Sequence, residues 1–304
     1  DVRAMAHGLA ALGFAPGSNL AIVGDNRPYL YLMFLAVQSL SGVPVPMYQD
    51  AVAAEMAYVL QQADVAFAFA EDQEQVDKLL ELRAQDGEDA VPGLAHIIYD
   101  DPRGLRNYTD AGLTSMEQLL ELGQQHAREH PGLFEQWLQQ IDPDATAVIL
   151  YTSGTTSKPK GVCQTHTAYI TAARGGVEVD GLNAGDEVLS YLPPAWAGDY
   201  FFSMAQWLVA GYTINCPESA ETVAIDMHEI GPTYYFAPPR VFEGLLTSVS
   251  IRMEDAARFK QWLYRRFMAV ATRVGSDILD GKRVPLASRL LYALGNLLVF
   301  APLK

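Results

Sequence analysis

Tyr151-Thr-Ser-Gly-Thr-Thr-Ser-Lys-Pro-Lys-Gly161 is the stretch on which the reading of this chain turns. Before it, Thr146-Ala-Val-Ile-Leu-Tyr151 is β-branched and apolar, which predicts a strand. After it, Gly161-Val-Cys-Gln-Thr165 predicts a second strand, followed by a helix over 166–176. The segment between the two strands carries hydroxyls, one glycine and two lysines. A backbone freed at glycine can turn its N–H groups toward an anion. Hydroxyls add donors around phosphate oxygens, and lysine supplies a point charge for a polyphosphate. The ordinary P-loop does not fit. Pro159 stands where its second glycine belongs, Lys160 is followed by Gly161 and Val162, and a strand follows where a helix is required. The competing reading is a solvated Ser/Thr/Gly turn.

Working outward, residues 2–13 have apolar side chains at helical spacing, and Asn19-Leu-Ala-Ile-Val23 is a short apolar run. A helix over 28–41, a strand at Val43-Pro-Val-Pro-Met47, a helix over 53–63, a strand at 65–69, an acidic helix over 72–84 and a strand at 94–99 follow. This alternation predicts an α/β fold: layered, largely parallel sheet flanked by helices. Residues 86–93 and 100–112 read as loops, and 115–140 as helix. Strands are expected again at 187–192, 212–216 and 233–237, an apolar helix over 199–210, and mostly helix from 240 onward. The expected organisation is a first α/β portion over 1–140 and a second over 141–304, which holds the loop and a helical, basic end.

The chain has 304 residues, half of them hydrophobic and 19% charged, enough for a sizeable core. The net charge of −15 argues against nucleic acid as a partner. The charge is uneven: residues 250–304 hold ten Lys/Arg against four Asp/Glu, the rest eleven against thirty-two. Two cysteines, Cys163 and Cys216, make no disulfide framework, and a reducing cytoplasm is the expected location. The chain opens on Asp1 in what reads as mid-helix, with no secretory leader visible, and is expected to be the front part of a longer protein.

The string Thr152 to Gly161 resembles the signature of the adenylate-forming superfamily, with Ser157 where glycine is usual. Val23-Gly-Asp-Asn-Arg27, Gly42-Val-Pro-Val-Pro46, Tyr58-Val-Leu-Gln-Gln-Ala-Asp64, Thr165-His166, Leu189-Ser-Tyr-Leu-Pro193, Ala237-Pro-Pro-Arg-Val-Phe-Glu243 and Gly281-Lys-Arg-Val-Pro285 look like the front region of long-chain fatty acyl-CoA synthetases. The resemblance implies the N-terminal adenylation domain of an acid–thiol ligase. Its substrate would be a small-molecule carboxylic acid, fatty or similarly lipophilic, with ATP, Mg²⁺ and coenzyme A as the other participants. It also implies that Thr152, Ser153, Gly154, Thr155, Thr156 and Lys160 wrap the β- and γ-phosphates, with Lys160 and Thr152 acting in the chemistry. Thr152 or Thr155 would enter the metal shell, and the sequence does not choose between them. The adenine, ribose and adenylation segments of the family are not found in these residues, so a C-terminal part is expected elsewhere in the same enzyme. The alternative is a catalytically dead relative kept as a nucleotide- or acyl-binding module, or as a scaffold.

At Leu192-Pro-Pro-Ala-Trp196 the resemblance breaks, because long-chain synthetases usually have histidine where Trp196 stands. An indole there would fill or gate the acyl pocket, so Trp196 is a candidate substrate-binding residue. His166, just after the loop, is a second. The other histidines show no metal-ligand spacing, and Gly185-Asp186 and Gly198-Asp199 read as turns. In the basic end, Arg258, Lys260, Arg265, Arg266 and Arg273 sit among Phe259, Trp262, Leu263, Tyr264, Phe267 and Met268. That composition suits an interfacial helix and a peripheral membrane contact through 258–304, or packing against the rest of the enzyme. The apolar run 290–303 is shorter than the roughly 20 residues needed to span a bilayer.

Overall fold

The computed structural model describes residues 1–152 and 158–301. The chain divides into two compact units, Asp1–Tyr235 and Phe236–Lys304.

The first unit opens with α1 (Val2–Ala11), β1 (Asn19–Val23), α2 (Pro28–Ser39), β2 (Val43–Met47), α3 (Ala53–Gln62), β3 (Phe67–Ala70), α4 (Gln73–Ala84), β4 (His96–Tyr99) and β5 (Leu113–Ser115). The five strands form one parallel sheet in the order β2-β1-β3-β4-β5. From Leu20 on, β1, and the whole of β3, read as unbroken apolar runs because both faces are covered. Leu20, Ile22, Phe67, Phe69 and Ile98 point into one core with Met5 and Leu9 of α1 and Leu30 and Phe34 of α2. Their sequence neighbours Ala21, Val23, Ala68, Ala70 and Ile97 point into the other, with Met56 and Leu60 of α3 and Val76 and Leu79 of α4. Each large side chain fully buried here contributes about 1.5–3 kcal/mol. This is the expected α/β architecture.

The edge strand β2 carries two prolines. The N–H of Val43 donates to the carbonyl of Ser18, toward β1. Along a strand, N–H groups alternate sides, so Pro44 and Pro46 occupy the positions that would face away from β1. A later strand, β6 (Thr146–Thr152), lies along that side without joining the sheet.

Residues 115–140 do not form one helix. Ser115 ends β5 and caps α5 (Met116–Glu129) through a reciprocal pair with Gln118. Gly132, left-handed at φ 80°, then separates α5 from α6 (Leu133–Gln140). Helices α1 and α5 cross with their backbones touching. A Cβ added at Gly123 would lie 2.7 Å from the carbonyl carbon of Ala4 and 2.9 Å from the nitrogen of Gly8. The same crossing brings His7 against His126, Nδ1 to Nδ1 at 2.8 Å, with His130 and Trp137 beside them.

Next, β6 and β7 (Lys160–Thr165) form an antiparallel pair, and α7 (His166–Asp180) follows, capped by Thr165 and ended by left-handed Gly181. A parallel pair, β8 (Glu187–Leu189) and β9 (Thr213–Asn215), brackets α8 (Ala197–Asp199), a π-helical run Tyr200–Ala205 and α9 (Gln206–Ala210). After α10 (Val223–Ile230), the strand expected over 233–237 is reduced to a single bridge between Val188 and Tyr234.

The second unit is helical: α11 (Pro239–Glu254), α12 (Arg258–Leu279), α13 (Leu286–Gly295) and a π-helical run Asn296–Phe300. Phe267, Val270, Val274 and Val299 form its buried side, with Gly295 closely packed on the Phe267 ring. Phe259 and Trp262 stand 70% and 60% exposed. Among the described residues no helix is long and apolar enough to cross a membrane.

Candidate functional site

The hairpin of β6 and β7 delivers both ends of the hydroxyl-rich loop. Its ladder pairs Thr152 directly with Lys160. Residues directly opposite in an antiparallel pair project from the same face, so Thr152 and Lys160 leave the backbone on one side at the loop's base. Both are exposed. Lys158 lies over the Tyr58 ring of α3, 5.0 Å from its centroid, which ties the returning end of the loop to that helix. The candidate positions Ser153, Gly154, Thr155 and Thr156, and Ser157 beside them, lie outside the described residues.

Beside the loop's base is a cavity of about 420 Å³. Met47 and Tyr48 of the β2 end, Met56 and Val59 of α3, Leu150, Tyr151 and Thr152 of β6, and Trp196 line it. The lining is mostly apolar, with Thr152 and Glu55 among its polar members. The structure therefore brings Thr152, Lys160 and Trp196 into one neighbourhood. His166 is not among them. It starts α7 at the other end of the hairpin, about 20 Å along β7 from Lys160 at 3.4 Å per residue. Its backbone N–H donates to the Ala145 carbonyl, and burial lowers its pKa, with Asp142 opposing. Among the described residues no group of His, Cys, Asp or Glu could hold a metal ion, and both cysteines are free.

Trp196 sits in a turn pinned at both ends. At the near end, Asn26 donates through Nδ2 to the Leu192 carbonyl at 2.9 Å and to the Tyr31 hydroxyl at 2.6 Å. At the far end, Asp199 is 1% exposed and accepts from Tyr31 at 2.9 Å, Ser190 at 3.1 Å and Ser203 at 2.8 Å. Burial pushes its carboxyl up to about 6, against the pull of those three hydroxyls. Between the pins, Gly198 lies so close under the indole that a Cβ there would overlap the ring. The Val23-Gly-Asp-Asn-Arg27 segment thus acquires a physical role. Asn26 holds the Trp196 turn, while Arg27 donates to the carbonyls of Pro217 and Glu218 and pairs with Glu71 at 2.8 Å.

Sequence reasoning passed over Asp199, taking Gly198-Asp199 for a turn. The available signal was Ser203, four residues on and therefore on the same helical face. The histidine cluster was also missed, because only the crossing of α1 and α5 makes neighbours of residues 119 apart.

Over its whole length the chain is 25% identical to the long-chain-fatty-acid–CoA ligase FadD15 of Mycobacterium bovis, of which it covers 48%. It is likewise 25% identical over 90% of its length to the long-chain-fatty-acid–CoA ligase ACSBG1 of Rattus norvegicus, covering 37% of that protein. It thus spans less than half of these relatives. Among solved structures, the N-terminal domain of FACL13 from Mycobacterium tuberculosis aligns with a TM-score of 0.59 at 22% identity, over 75% of this chain and 51% of that one. The anthranilate CoA ligase AuaEII aligns with a TM-score of 0.58 at 18% identity, over 78% and 43%. These two establish the shared α/β fold. The sequence matches the AMP-binding enzyme family from residue 1 to residue 286, and the chain belongs to that family.

Proposed function

We propose that the protein containing this chain activates a lipophilic carboxylic acid with ATP and passes the acyl group to coenzyme A. In the first step a carboxylate oxygen attacks the α-phosphorus of ATP, the bond to the leaving pyrophosphate breaks, and acyl-adenylate forms. In the second, the thiolate of coenzyme A attacks the acyl carbon and AMP leaves. The observation that carries this reading is the position of Thr152. It stands opposite Lys160 at the base of the phosphate loop and on the wall of an apolar cavity. Charge for a polyphosphate and apolar volume for an acyl chain therefore meet at one residue.

In this assignment Lys160 and Thr152 hold the leaving phosphates, where preorganised donors lower the barrier most. Ser153, Gly154, Thr155 and Thr156 complete the cradle. A bound Mg²⁺ would neutralise phosphate charge, with the hydroxyl of Thr152 or Thr155 in its shell. Trp196 limits the depth of the acyl pocket. The adenine, ribose and adenylation groups would come from a C-terminal part of the same enzyme.

The test is acid-dependent exchange of pyrophosphate into ATP by the full-length protein, across saturated acids of graded length. Exchange driven by fatty acids is expected. Tight ATP binding with no exchange for any acid would replace this reading with the non-catalytic binding module.

The exposed pair Phe259 and Trp262, beside Arg258, Lys260, Arg265 and Arg266, favours a second property of the protein, peripheral contact with anionic membranes. Sedimentation with anionic vesicles, weakened by salt and by Arg265→Glu with Arg266→Glu, is the expected result. No binding at low ionic strength would remove it.

A further inference from the structure

A buried carboxylate with only hydroxyls for partners is costly, and folds retain such groups where position matters. Among the described residues, Asp199 is in that situation. Its hydrogen-bond partners come from three separate elements: Tyr31 from α2, Ser190 after β8, and Ser203 from the π-helical run. The hydroxyls also stand within hydrogen-bond distance of one another, Tyr31 and Ser190 at 2.5 Å and Ser190 and Ser203 at 2.7 Å, so their three protons are shared between the carboxylate and these contacts. Asn26 closes the network onto the Leu192 carbonyl. One cluster therefore grips the chain at residue 192 and again at residue 199, and the segment between carries Trp196 to the cavity wall. The grip is short. Trp196 precedes the first residue of α8 and Asp199 is its last, so a change at the carboxyl is transmitted through one helical turn.

We propose that Asp199 is the positioning residue for Trp196, and that the hydroxyl network around its carboxylate sets where the indole stands in the acid-binding cavity. The proposal rests on the reading of that cavity as the acid site. Asp199 takes no part in bond making. It fixes the turn that packs the indole against Gly198, and thereby sets the cavity's depth. Protonating the carboxyl turns one acceptor oxygen into a donor, so the hydroxyl protons redistribute between the carboxyl and the contacts among Tyr31, Ser190 and Ser203, and the grip on the turn changes with it. The titratable neighbours are Tyr31, Tyr212 and Cys216, all pushed upward by burial, the thiol to about 12. All three stay neutral across mildly acidic pH. Arg27, which acts on Cys216, is paired with Glu71. Asp199 is thus the member of the cluster that titrates, with a midpoint close to 6.

The test uses the full-length protein labelled with 5-fluorotryptophan, its Trp196 resonance identified by its loss in Trp196→Phe. Between pH 4.5 and 8 this resonance is expected to shift with a midpoint near 6, and the shift should vanish in Asp199→Asn, which keeps the shape and removes the charge. Asp199→Asn should also raise the KM for the acid severalfold, leaving the KM for ATP unchanged. If Asp199→Ala folds, its effect on the acid should be larger. A Trp196 resonance indifferent both to pH and to Asp199→Asn overturns the proposal. A resonance that responds as expected, without any change in acid KM, supports the positioning role and overturns the acid site instead.

Discussion

Placing alanine at Gly123 sets two effects of opposite sign against each other. In a helix interior, Gly→Ala ordinarily stabilises by about 1 kcal/mol, through propensity and lower chain entropy. In α5 the new methyl would instead lie 2.7 Å from the Ala4 carbonyl carbon and 2.9 Å from the Gly8 nitrogen. Both are backbone atoms and cannot rotate away. Ordinary carbon contacts begin near 3.5 Å, so α1 and α5 must part by about 1 Å. A gap of that size forfeits a quarter to a half of the dispersion attraction along the interface of Met5, Leu9, Met116 and Leu119. Over-packing of this kind costs about 3 kcal/mol at the upper end of its usual range. Subtracting the propensity gain leaves a destabilisation of about 2 kcal/mol. The matched control is Gly175→Ala in α7, where a Cβ meets nothing within 4 Å and the propensity term acts alone, stabilising by about 0.5–1 kcal/mol. Urea denaturation of the two variants against the parent decides the matter. If Gly123→Ala stabilises as much as Gly175→Ala, the backbones do not touch and the reasoning fails.

Lys160→Ala should lower adenylation about a hundredfold with ATP saturating, the usual cost of one electrostatic stabiliser, and leave the melting temperature unchanged because Lys160 is exposed; an unaltered turnover number removes it from the site. Asp199 gives a pH signature in stability: its folded pKa of about 6 lies above its ordinary 3.8, so the folded state holds the proton more tightly. The associated stability is full below about pH 4 and is lost as pH rises through 6, about 3 kcal/mol in all, and Asp199→Asn should flatten that dependence in melts taken from pH 4 to 8. His7 runs the other way, its pKa depressed below 6.5 by burial first and by His126 next. The unfolded chain takes up the proton more readily, so stability should fall as pH drops through 6.5. Protection factors of the amides in α1 and α5, taken against intrinsic rates at each pH, should fall there, and by less in His7→Gln.

The parallel sheet was legible because strands covered on both faces must be apolar at every position, as Leu20–Val23 and Phe67–Ala70 are. What escaped reading was short or depended on crossings. β5 has three residues, two of them hydroxylic, and carries no periodicity. The run 233–237 has strand composition but one bridging partner, because pairing and not composition makes a strand. The apolar stretch 199–210 was rightly read as helical, yet its π-helical centre follows from packing that no spacing announces. At the site, the hydroxyl-rich loop and Trp196 stood out by their chemistry. Asp199 did not, since a buried carboxyl and an exposed turn are spelled alike.

The prolines of β2 have a consequence for how this chain can change. Had residues 44 and 46 carried N–H groups, β2 and β6 could have joined as a ladder, with their spacing held near 4.8 Å by the backbone. Side-chain substitutions would then do little to the gap between them. With no donors on that side, the width of the slot between Pro46-Met47 and Leu150-Thr152 is set by what the side chains fill. Single substitutions at Met47, Met56 or Trp196 can therefore re-bore the slot without shifting any strand register. The scaffold keeps its sheet while its choice of guest drifts, and the two prolines separate those histories.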